Sequence, residues 1–325
     1  MLPVKKSMNC LRRHPLFSLL ITFFLLVAAI IPQLDSSLTL FANHNAVPLL
    51  RDFFGRTLFE GDLPGSGDFV VLGLIIGLLG YFRCCLGPPT RRSVAWRPAL
   101  GFAVFAGLTS AVTFVHTSKW AIGRARPSEV FRHHLAYSDW FSFGSHFISE
   151  GRYRGSFPSG HTIEALLPIL LAYALAGNPA HSSRTRFLGL LCGIFAVLNA
   201  LTMAVARSMA LSHWLSDGLL GLLTAWILIH ISYFWILRVP EQDKLSRKAS
   251  LQPALPACWE LLLGLWTMGL GCGIMLILLG IHALLRHENF AYSLLLPAGV
   301  FSGYFCLRQS CRLYGKFRSR IAYPL

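Results

Sequence analysis

The chain has 325 residues, of which 54% are hydrophobic and only 13% charged, yet its net charge is +15. Soluble domains carry about a quarter charged residues, so this composition excludes an ordinary soluble protein and indicates a membrane protein. The basic residues lie in short segments between apolar runs and form no stripe interleaved with exposed aromatics, which argues against nucleic-acid binding. We expect an all-helical integral membrane protein whose positive charge serves its topology and an anionic substrate.

Eight apolar runs approach the roughly 20 residues that a bilayer-crossing helix needs. The first, from Leu16 to Ile31, follows a basic segment, and no small-residue cleavage site comes after it, so we interpret it as a retained helix and not as a signal peptide. Residues 38–60 are apolar but interrupted by polar side chains, and are predicted to be interfacial or re-entrant helices. The predicted spans are 15–32, 67–83, 98–120, 161–177, 187–206, 212–237, 257–285 and 290–307.

The positions of lysine and arginine predict the orientation. With both termini in the cytoplasm, 19 of the 29 basic residues fall in inside segments, as the positive-inside rule requires. Eight of the other ten lie between Lys119 and Arg207 or at Arg286, on the outer side. Because this group departs from the topology rule, it indicates a site. We therefore expect a multi-pass inner (plasma) membrane protein whose site faces the periplasm or exterior.

Three segments place polar groups beside the ends of predicted spans, and the predicted topology brings all three to the outer face. They are Lys119-Trp-Ala-Ile-Gly-Arg-Ala-Arg126-Pro127 after the third span, Phe157-Pro-Ser-Gly-His161 at the start of the fourth, and Arg207-Ser-Met-Ala-Leu-Ser-His213-Trp-Leu-Ser-Asp217 between the fifth and sixth. This convergence was not used to assign the spans, so it supports a common site.

The cations and the helix start in these segments predict a phosphate-binding site. Lys119, Arg126 and Arg207 supply three positive charges, and guanidinium groups match phosphate oxygens bidentately. Ser159 and Gly160 lead into a helix, where free backbone N–H groups and the helix dipole favour an anion.

Two histidines and an aspartate predict phosphoryl transfer. His213 and Asp217 are four residues apart, which on a helix places them on one face, so the carboxylate can fix the tautomer of an attacking imidazole. His161 can act as the general acid that protonates the leaving alkoxide. Three cations can neutralise the transferred group as magnesium often does, and no ligand cluster for a metal lies nearby in the sequence, so we expect neither metal nor cofactor.

In these segments the chain resembles the type 2 phosphatidic acid phosphatase (PAP2) superfamily. The family pattern is Lys, six residues, Arg-Pro; then Pro-Ser-Gly-His; then Ser-Arg, five residues, His, three residues, Asp. Every internal spacing is matched, and the one departure is Ala206 in place of the serine before the arginine. The resemblance covers roughly residues 60–237. It implies a six-helix core and a phosphohistidine intermediate on His213 that water hydrolyses, with phosphate held by Lys119, Arg126, Ser159, Gly160 and Arg207.

We divide the chain into an N-terminal segment (1–14), a phosphatase core of six transmembrane helices (15–240), and two additional C-terminal transmembrane helices with a basic tail (241–325). The resemblance implies that the substrate is a phosphorylated membrane lipid, a phosphate monoester or diphosphate. A lipid A phosphate is favoured because the first motif reads Gly-Arg-X-Arg-Pro and a long outer loop follows it. Undecaprenyl diphosphate, phosphatidylglycerophosphate and phosphatidate share the same chemistry.

Other functions and roles stay open. A lipid phosphotransferase would use the same intermediate, and a transporter would need polar residues along several spans, whereas the charges here cluster at one end. The glycines at 269, 271 and 273 permit a close helix contact. For several residues of the outer loop the sequence allows two roles: they bind further anionic groups of a headgroup, or they face anionic lipid. These residues are Arg124, Arg132, His133, His134, His146, Arg152 and Arg154.

Overall fold

The computed structural model describes residues 14–55, 66–147, 155–178, 181–248 and 255–322, and every regular element within these ranges is a helix. Seven of these helical stretches are long and apolar enough to cross a membrane, and a shorter apolar stretch covers Gly160–Ala176. Many large apolar side chains are exposed on the outer surfaces of the long helices, as expected of helices that face lipid. The predicted all-helical membrane fold is confirmed, whereas the count of eight spans stays a prediction.

The described residues of the first half of the chain form six α-helices. They are α1 (Pro15–His44), α2 (Pro48–Gly55), α3 (Ser66–Leu86), α4 (Arg91–Ala106), α5 (Phe114–Ile122) and α6 (Pro127–His133). A π-helical segment, Gly107–Thr113, joins α4 to α5. The hydroxyls of Thr109, Ser110 and Thr113 in this segment donate to preceding backbone carbonyls, which widens the helix locally while leaving the polar groups satisfied.

In the second half, seven α-helices lie within the ranges that the structure describes. They are α7 (Gly160–Leu166), α8 (Ile169–Ala176), α9 (Ser183–Met209), α10 (Leu215–Ile231), α11 (Val239–Lys248), α12 (Trp259–Leu285) and α13 (Leu295–Ala322), with a π-helical segment at Ser232–Ile236 and a 3-10 turn at Phe290–Leu294. The predicted fourth span is therefore two short helices. They separate at Leu167 and Pro168, because proline has no N–H to continue the hydrogen-bond ladder. The proposed domain boundary at residue 240 falls inside α11.

The first helix is longer than predicted. It continues through Pro32 to His44, so residues 38–44 are helical as predicted but belong to the first helix and do not form a separate segment. Residues 48–55 form the short α2, and residues 56–60 lie outside the described residues. Proline removes one backbone hydrogen bond, because Pro32 has no N–H to donate to the carbonyl four residues earlier. The carbonyl of Pro32 itself accepts a bond from the Tyr137 hydroxyl at 3.0 Å, which ties this part of the helix to the outer loop. The extended helix carries Asp35 into the interior, where it is wholly buried.

The core lies where α4, α7, α8, α9 and α10 pack together, with α1 against α9 and α10. Its fully buried side chains include Phe102, Ile163, Leu166, Met203 and Leu220. The chain direction then places the end of α5, the start of α7, the end of α9 and the start of α10 at one end of the bundle. These are the helix ends that carry the three predicted site segments.

The C-terminal helices α12 and α13 form a hairpin whose backbones touch. A Cβ atom on Gly273 would lie 2.7 Å from the backbone of Gly303, and one on Gly271 would lie 2.4 Å from the side chain of Thr113 in the core. The close contact predicted for these glycines is thus made within the chain. At the other end of α12, the buried carboxylate of Glu260 accepts a bond from Tyr81 at 3.1 Å and pairs with Arg97 at 3.2 Å, which fixes the hairpin to α3 and α4.

Candidate active site

Backbone and side-chain hydrogen bonds hold the three predicted segments together at one end of the bundle. The first segment is joined to Ser156, the residue before the second segment, whose N–H donates to the carbonyl of Arg124 at 2.8 Å. The second segment is joined to the third because the Ser159 N–H donates to the backbone carbonyl of Asp217 at 3.1 Å. The third is joined to the first because the Trp214 Nε1–H donates to the carbonyl of Ala125 at 2.9 Å. Residues far apart in sequence are therefore joined into one hydrogen-bonded unit.

The spacing between the first two cations follows from how α5 ends. Lys119 lies in the last turn of α5, and Gly123 ends that helix in the left-handed conformation, with φ of 62°. An added Cβ on Gly123 would lie 2.0 Å from the carbonyl oxygen of His146, so only glycine fits. The chain then extends to Arg126, whose backbone precedes the first turn of α6. This turn brings both cations to the same end of the bundle.

Three cations and two histidines share the site. Lys119 and Arg207 are buried, with exposed fractions of 6% and 4%. Together with Arg126 they act electrostatically on both His161 and His213. The same three charges thus act on both histidines. Phosphoryl transfer needs such an arrangement, because the charges and the nucleophile must surround the same phosphorus atom.

The second segment supplies fewer free donors than the sequence suggested. The Ser159 N–H is already bonded to Asp217 O, so it is not available to a phosphate. The Ser159 side-chain oxygen accepts a bond from the Thr162 hydroxyl at 3.0 Å, which leaves its own O–H as a donor. Gly160 has space for close approach, since an added Cβ would meet only a side-chain atom of Val115 at 3.3 Å.

His213 and Asp217 do not share a helix face, so that prediction was wrong. Helix α10 begins at Leu215, because the Asp217 carboxylate accepts the Trp214 N–H at 2.9 Å and so caps the helix start. His213 lies just before this cap. The two side chains still adjoin, with His213 Nδ1 at 3.7 Å from Asp217 Oδ2, because the capping turn folds back over the first turn.

Ser156, which the sequence did not identify, stands between these two residues. A separation of 3.7 Å is too long for a direct hydrogen bond, although it permits charge attraction. The buried Ser156 hydroxyl donates to Asp217 Oδ2 at 2.5 Å, and its oxygen lies 3.5 Å from His213 Nδ1. The carboxylate therefore acts on the Nδ1 side of the ring, directly and through Ser156, whereas Nε2 lies on the opposite side of the ring.

The environment keeps the His213 imidazole neutral. The residue is 1% exposed, and burial lowers the pKa of the ring well below the usual range for histidine. The charges of Lys119, Arg126 and Arg207 act in the same direction, whereas Asp217 opposes them. A neutral ring retains the lone pair that a nucleophile needs at physiological pH.

Arg124 neither binds a headgroup nor faces lipid, the two roles that the sequence left open. Its side chain is wholly buried between the rings of Tyr137 and Trp214, whose centroids lie 5.3 and 5.5 Å from the guanidinium carbon. All five of its N–H groups are used. They donate to Ser138 O at 2.7 Å, Ser216 Oγ at 2.9 Å, Asp217 Oδ1 at 2.6 Å, Asp35 Oδ2 at 2.9 Å and the Tyr137 hydroxyl at 3.1 Å.

The other basic residues of the outer loop have different surroundings. Arg132, His133 and His134 are on the surface, Arg152 and Arg154 lie outside the described residues, and His146 bonds Glu129 at 2.8 Å. The C-terminal hairpin supports this loop: Phe143 stacks on His282 with centroids 4.4 Å apart, and Arg286 donates to Ser145 O at 2.7 Å. Within the described part of the chain, no group of three His, Cys, Asp or Glu residues is arranged to hold a metal ion.

Comparison with protein families confirms the resemblance seen in the three segments. The model of the PAP2 superfamily matches residues 100–240, which include all three. Neither a curated protein nor a solved structure gives a significant match. The family match, together with the apolar helices, supports a phosphatase-type, multi-pass membrane protein. Helix α1 and the hairpin of α12 and α13 lie outside the matched range.

Proposed function

From the PAP2 superfamily match over residues 100–240, we propose that the protein is a metal-independent phosphatase acting on a membrane lipid through a phosphohistidine on His213. The observation that carries this proposal is the buried imidazole of His213, which adjoins the Asp217 carboxylate and on which the charges of Lys119, Arg126 and Arg207 act. The apolar helices favour a lipid as the substrate, since its chains can stay in the bilayer while the headgroup enters the site.

In the first step the substrate phosphate is held by Lys119, Arg126 and Arg207. His213 Nε2 attacks phosphorus, an N–P bond forms, and the ester P–O bond breaks with its electron pair going to the alkoxide. His161 donates a proton to that alkoxide. The bound phosphate favours the imidazolium form that His161 needs, because it adds negative charge beside the ring.

In the second step water replaces the alcohol. His161, now neutral, takes a proton from the attacking water as the new P–O bond forms. The N–P bond breaks, and its electron pair returns to His213, which becomes a neutral imidazole again. The three cations hold the transferred phosphoryl group in both steps, so positioning and charge neutralisation supply most of the catalysis.

For the substrate, we propose a lipid A phosphate at the periplasmic face of the inner membrane. One of the two reasons given by the sequence is now weaker: Arg124 of the Gly-Arg-X-Arg-Pro motif serves internal packing, so the motif says little about the headgroup. The long outer loop remains as support. Undecaprenyl diphosphate, phosphatidylglycerophosphate and phosphatidate are the competing substrates, and the relative kcat/KM on purified lipids decides between them.

Substitution of His213 tests the mechanism. We expect His213→Ala to lower phosphate release from the best lipid substrate by at least about 10⁴-fold, because the attacking atom is gone. His44→Ala, which changes an exposed histidine at the end of α1, should leave the rate unchanged. Acid-quenched wild-type protein should carry ³²P from a labelled substrate, and the His213→Ala variant should not. Labelling of that variant at the wild-type level would contradict the assignment.

The absence of a metal requirement is a second expectation. Phosphate release should survive EDTA and be inhibited by vanadate, which mimics pentavalent phosphorus in a site built from Lys119, Arg126 and Arg207. Strict dependence on added magnesium would refute this mechanism. Running the same assay with and without an acceptor lipid separates a phosphatase from a phosphotransferase, because only the latter needs the acceptor to turn over.

A further inference from the structure

Behind His213, three charged side chains from three separate parts of the chain meet in the interior. Asp35 comes from α1, Arg124 from the turn after α5, and Asp217 from the first turn of α10. The side chains that form the two ion pairs are 0% exposed. Burying charges is costly unless they are paired and hydrogen-bonded, so such a group is retained only where its geometry is fully satisfied.

The guanidinium of Arg124 lies between the two carboxylates and donates to both. One terminal nitrogen is 2.6 Å from Asp217 Oδ1 and the other is 2.9 Å from Asp35 Oδ2. Ser216 completes the arrangement: its N–H donates to Asp35 Oδ1 at 2.9 Å, and its hydroxyl contacts both Asp35 and Arg124. Since Ser216 adjoins Asp217 in sequence, α1 is fixed directly to the helix start that carries the catalytic carboxylate.

These contacts divide the Asp217 carboxylate between two tasks. Oδ1 takes the Arg124 bond, while Oδ2 faces Ser156, the Trp214 N–H and the His213 ring. Arg124 therefore determines the plane of the carboxylate without touching the imidazole. Its donors are all used inside the protein, so its charge serves Asp217 and not the substrate phosphate.

We propose that Asp35 and Arg124 are positioning residues for the nucleophile. Asp35 holds the guanidinium in place, Arg124 holds Asp217 ionised and correctly oriented, and Asp217 in turn favours the tautomer of His213 that has its proton on Nδ1. The proposal rests on the proposed phosphatase function and adds α1, which lies outside the PAP2-matched range, to the catalytic unit.

The test uses Asp35→Asn and Arg124→Lys in the full-length protein in detergent micelles. Asparagine keeps the shape of Asp35 but places an N–H₂ group where an acceptor is needed, and lysine cannot bridge both carboxylates as a fork does. We expect kcat to fall roughly 10- to 100-fold. Losses of this size are typical when a residue that hydrogen-bonds to a metal-ligating side chain and orients it is replaced, and Arg124 orients Asp217 in the same way. KM and the vanadate concentration for half-inhibition should change less than about 3-fold, because the three phosphate-binding cations remain.

The chain offers a matched control. Arg51 and Asp52 on α2 form an ion pair at 2.9 Å, the separation found between Arg124 and Asp35, but they are solvent-exposed. Asp52→Asn and Arg51→Lys make the same chemical changes away from the interior and should leave kcat unchanged. The double variant Asp35→Asn/Arg124→Lys should be no slower than Arg124→Lys, because both residues act through one carboxylate.

Each outcome decides a different point. Wild-type kcat in Asp35→Asn, or an equal loss of kcat and of vanadate inhibition, overturns the positioning role; the second result would make the triad a scaffold of the whole pocket. If Arg124→Lys fails to fold, Asp35→Asn and the smaller change Ser216→Ala still decide the question through the same two readouts. Failure of the wild-type protein to release phosphate from any lipid refutes the proposed function itself, so the two failures are distinguishable.

Discussion

Ser156 lies between the proposed nucleophile and the carboxylate that orients it. Its hydroxyl is 2.5 Å from Asp217 Oδ2 and 3.5 Å from His213 Nδ1, and the side chain is wholly buried. Although the Ser156 hydroxyl is neutral, it links the charged Asp217 carboxylate to the His213 ring and so helps the carboxylate to orient that ring. A hydroxyl can do so because it donates to the carboxylate and still presents a lone pair to the imidazole N–H.

Removal of this hydroxyl should therefore slow the chemistry. We expect Ser156→Ala to lower kcat about 10-fold or more with KM nearly unchanged, because the direct 3.7 Å contact between His213 and Asp217 remains but is too long for a hydrogen bond. Ser37→Ala, which removes an exposed hydroxyl on α1, is the control. Steady-state kinetics on the same lipid substrate measures both, and a Ser156→Ala enzyme with full kcat would rule out the bridging role.

The residues of the site differ in how visible they are in the sequence. The cations and histidines stand in motifs of fixed spacing, so they could be predicted. Asp35 gave a weaker signal, as an ionisable residue at the end of an apolar run, where such a residue usually has a partner and a function. Ser156 and Ser216 gave none, since hydroxyls are common in turns and their importance follows only from distances to Asp217 and Arg124.

At the level of helices, the close contact between α12 and α13 depends on glycine. We expect Gly273→Ala to lower the free energy of unfolding by about 1–3 kcal/mol, because the new methyl group would lie 2.7 Å from the Gly303 backbone, which cannot rotate away. Gly77→Ala on α3 is the control: nothing lies within 4 Å of the added Cβ, so this change should be neutral or slightly stabilising. Thermal unfolding in detergent measures both, and equal shifts in the two variants would show that α12 and α13 are not in contact there.

Helix boundaries were the least predictable part of the fold. Proline and polar residues suggested that the first span ends near Pro32, yet the helix continues to His44 because Asp35 and the Pro32 carbonyl find partners in other segments. The start of α10 was misplaced for a related reason, since Asp217 caps the helix and leaves His213 outside it. In both cases a tertiary or capping hydrogen bond overrode a pattern that the sequence alone displays.

For the whole molecule, the distribution of basic residues predicts the orientation in the membrane. Basic residues are concentrated at the predicted inside segments, including the end of α13, where Arg308, Arg312, Lys316 and Arg318 lie. We expect green fluorescent protein fused to the C-terminus to fluoresce in the cytoplasm, and an alkaline phosphatase reporter inserted after His287, between α12 and α13, to be active outside. The opposite pattern would place the site on the cytoplasmic face and exclude a periplasmic substrate.

The origin of Asp35 has a practical consequence for dissecting this protein. A fragment cut to residues 100–240 would keep every motif residue and still lose the acid that steadies Arg124, so it would be a poor choice for expression or for grafting onto another bundle. Comparisons of distantly related sequences that use residues 100–240 alone do not include Asp35 either. Looking for an aspartate late in a preceding apolar helix, paired with an arginine two residues before the Arg-Pro, would show which of them share this arrangement.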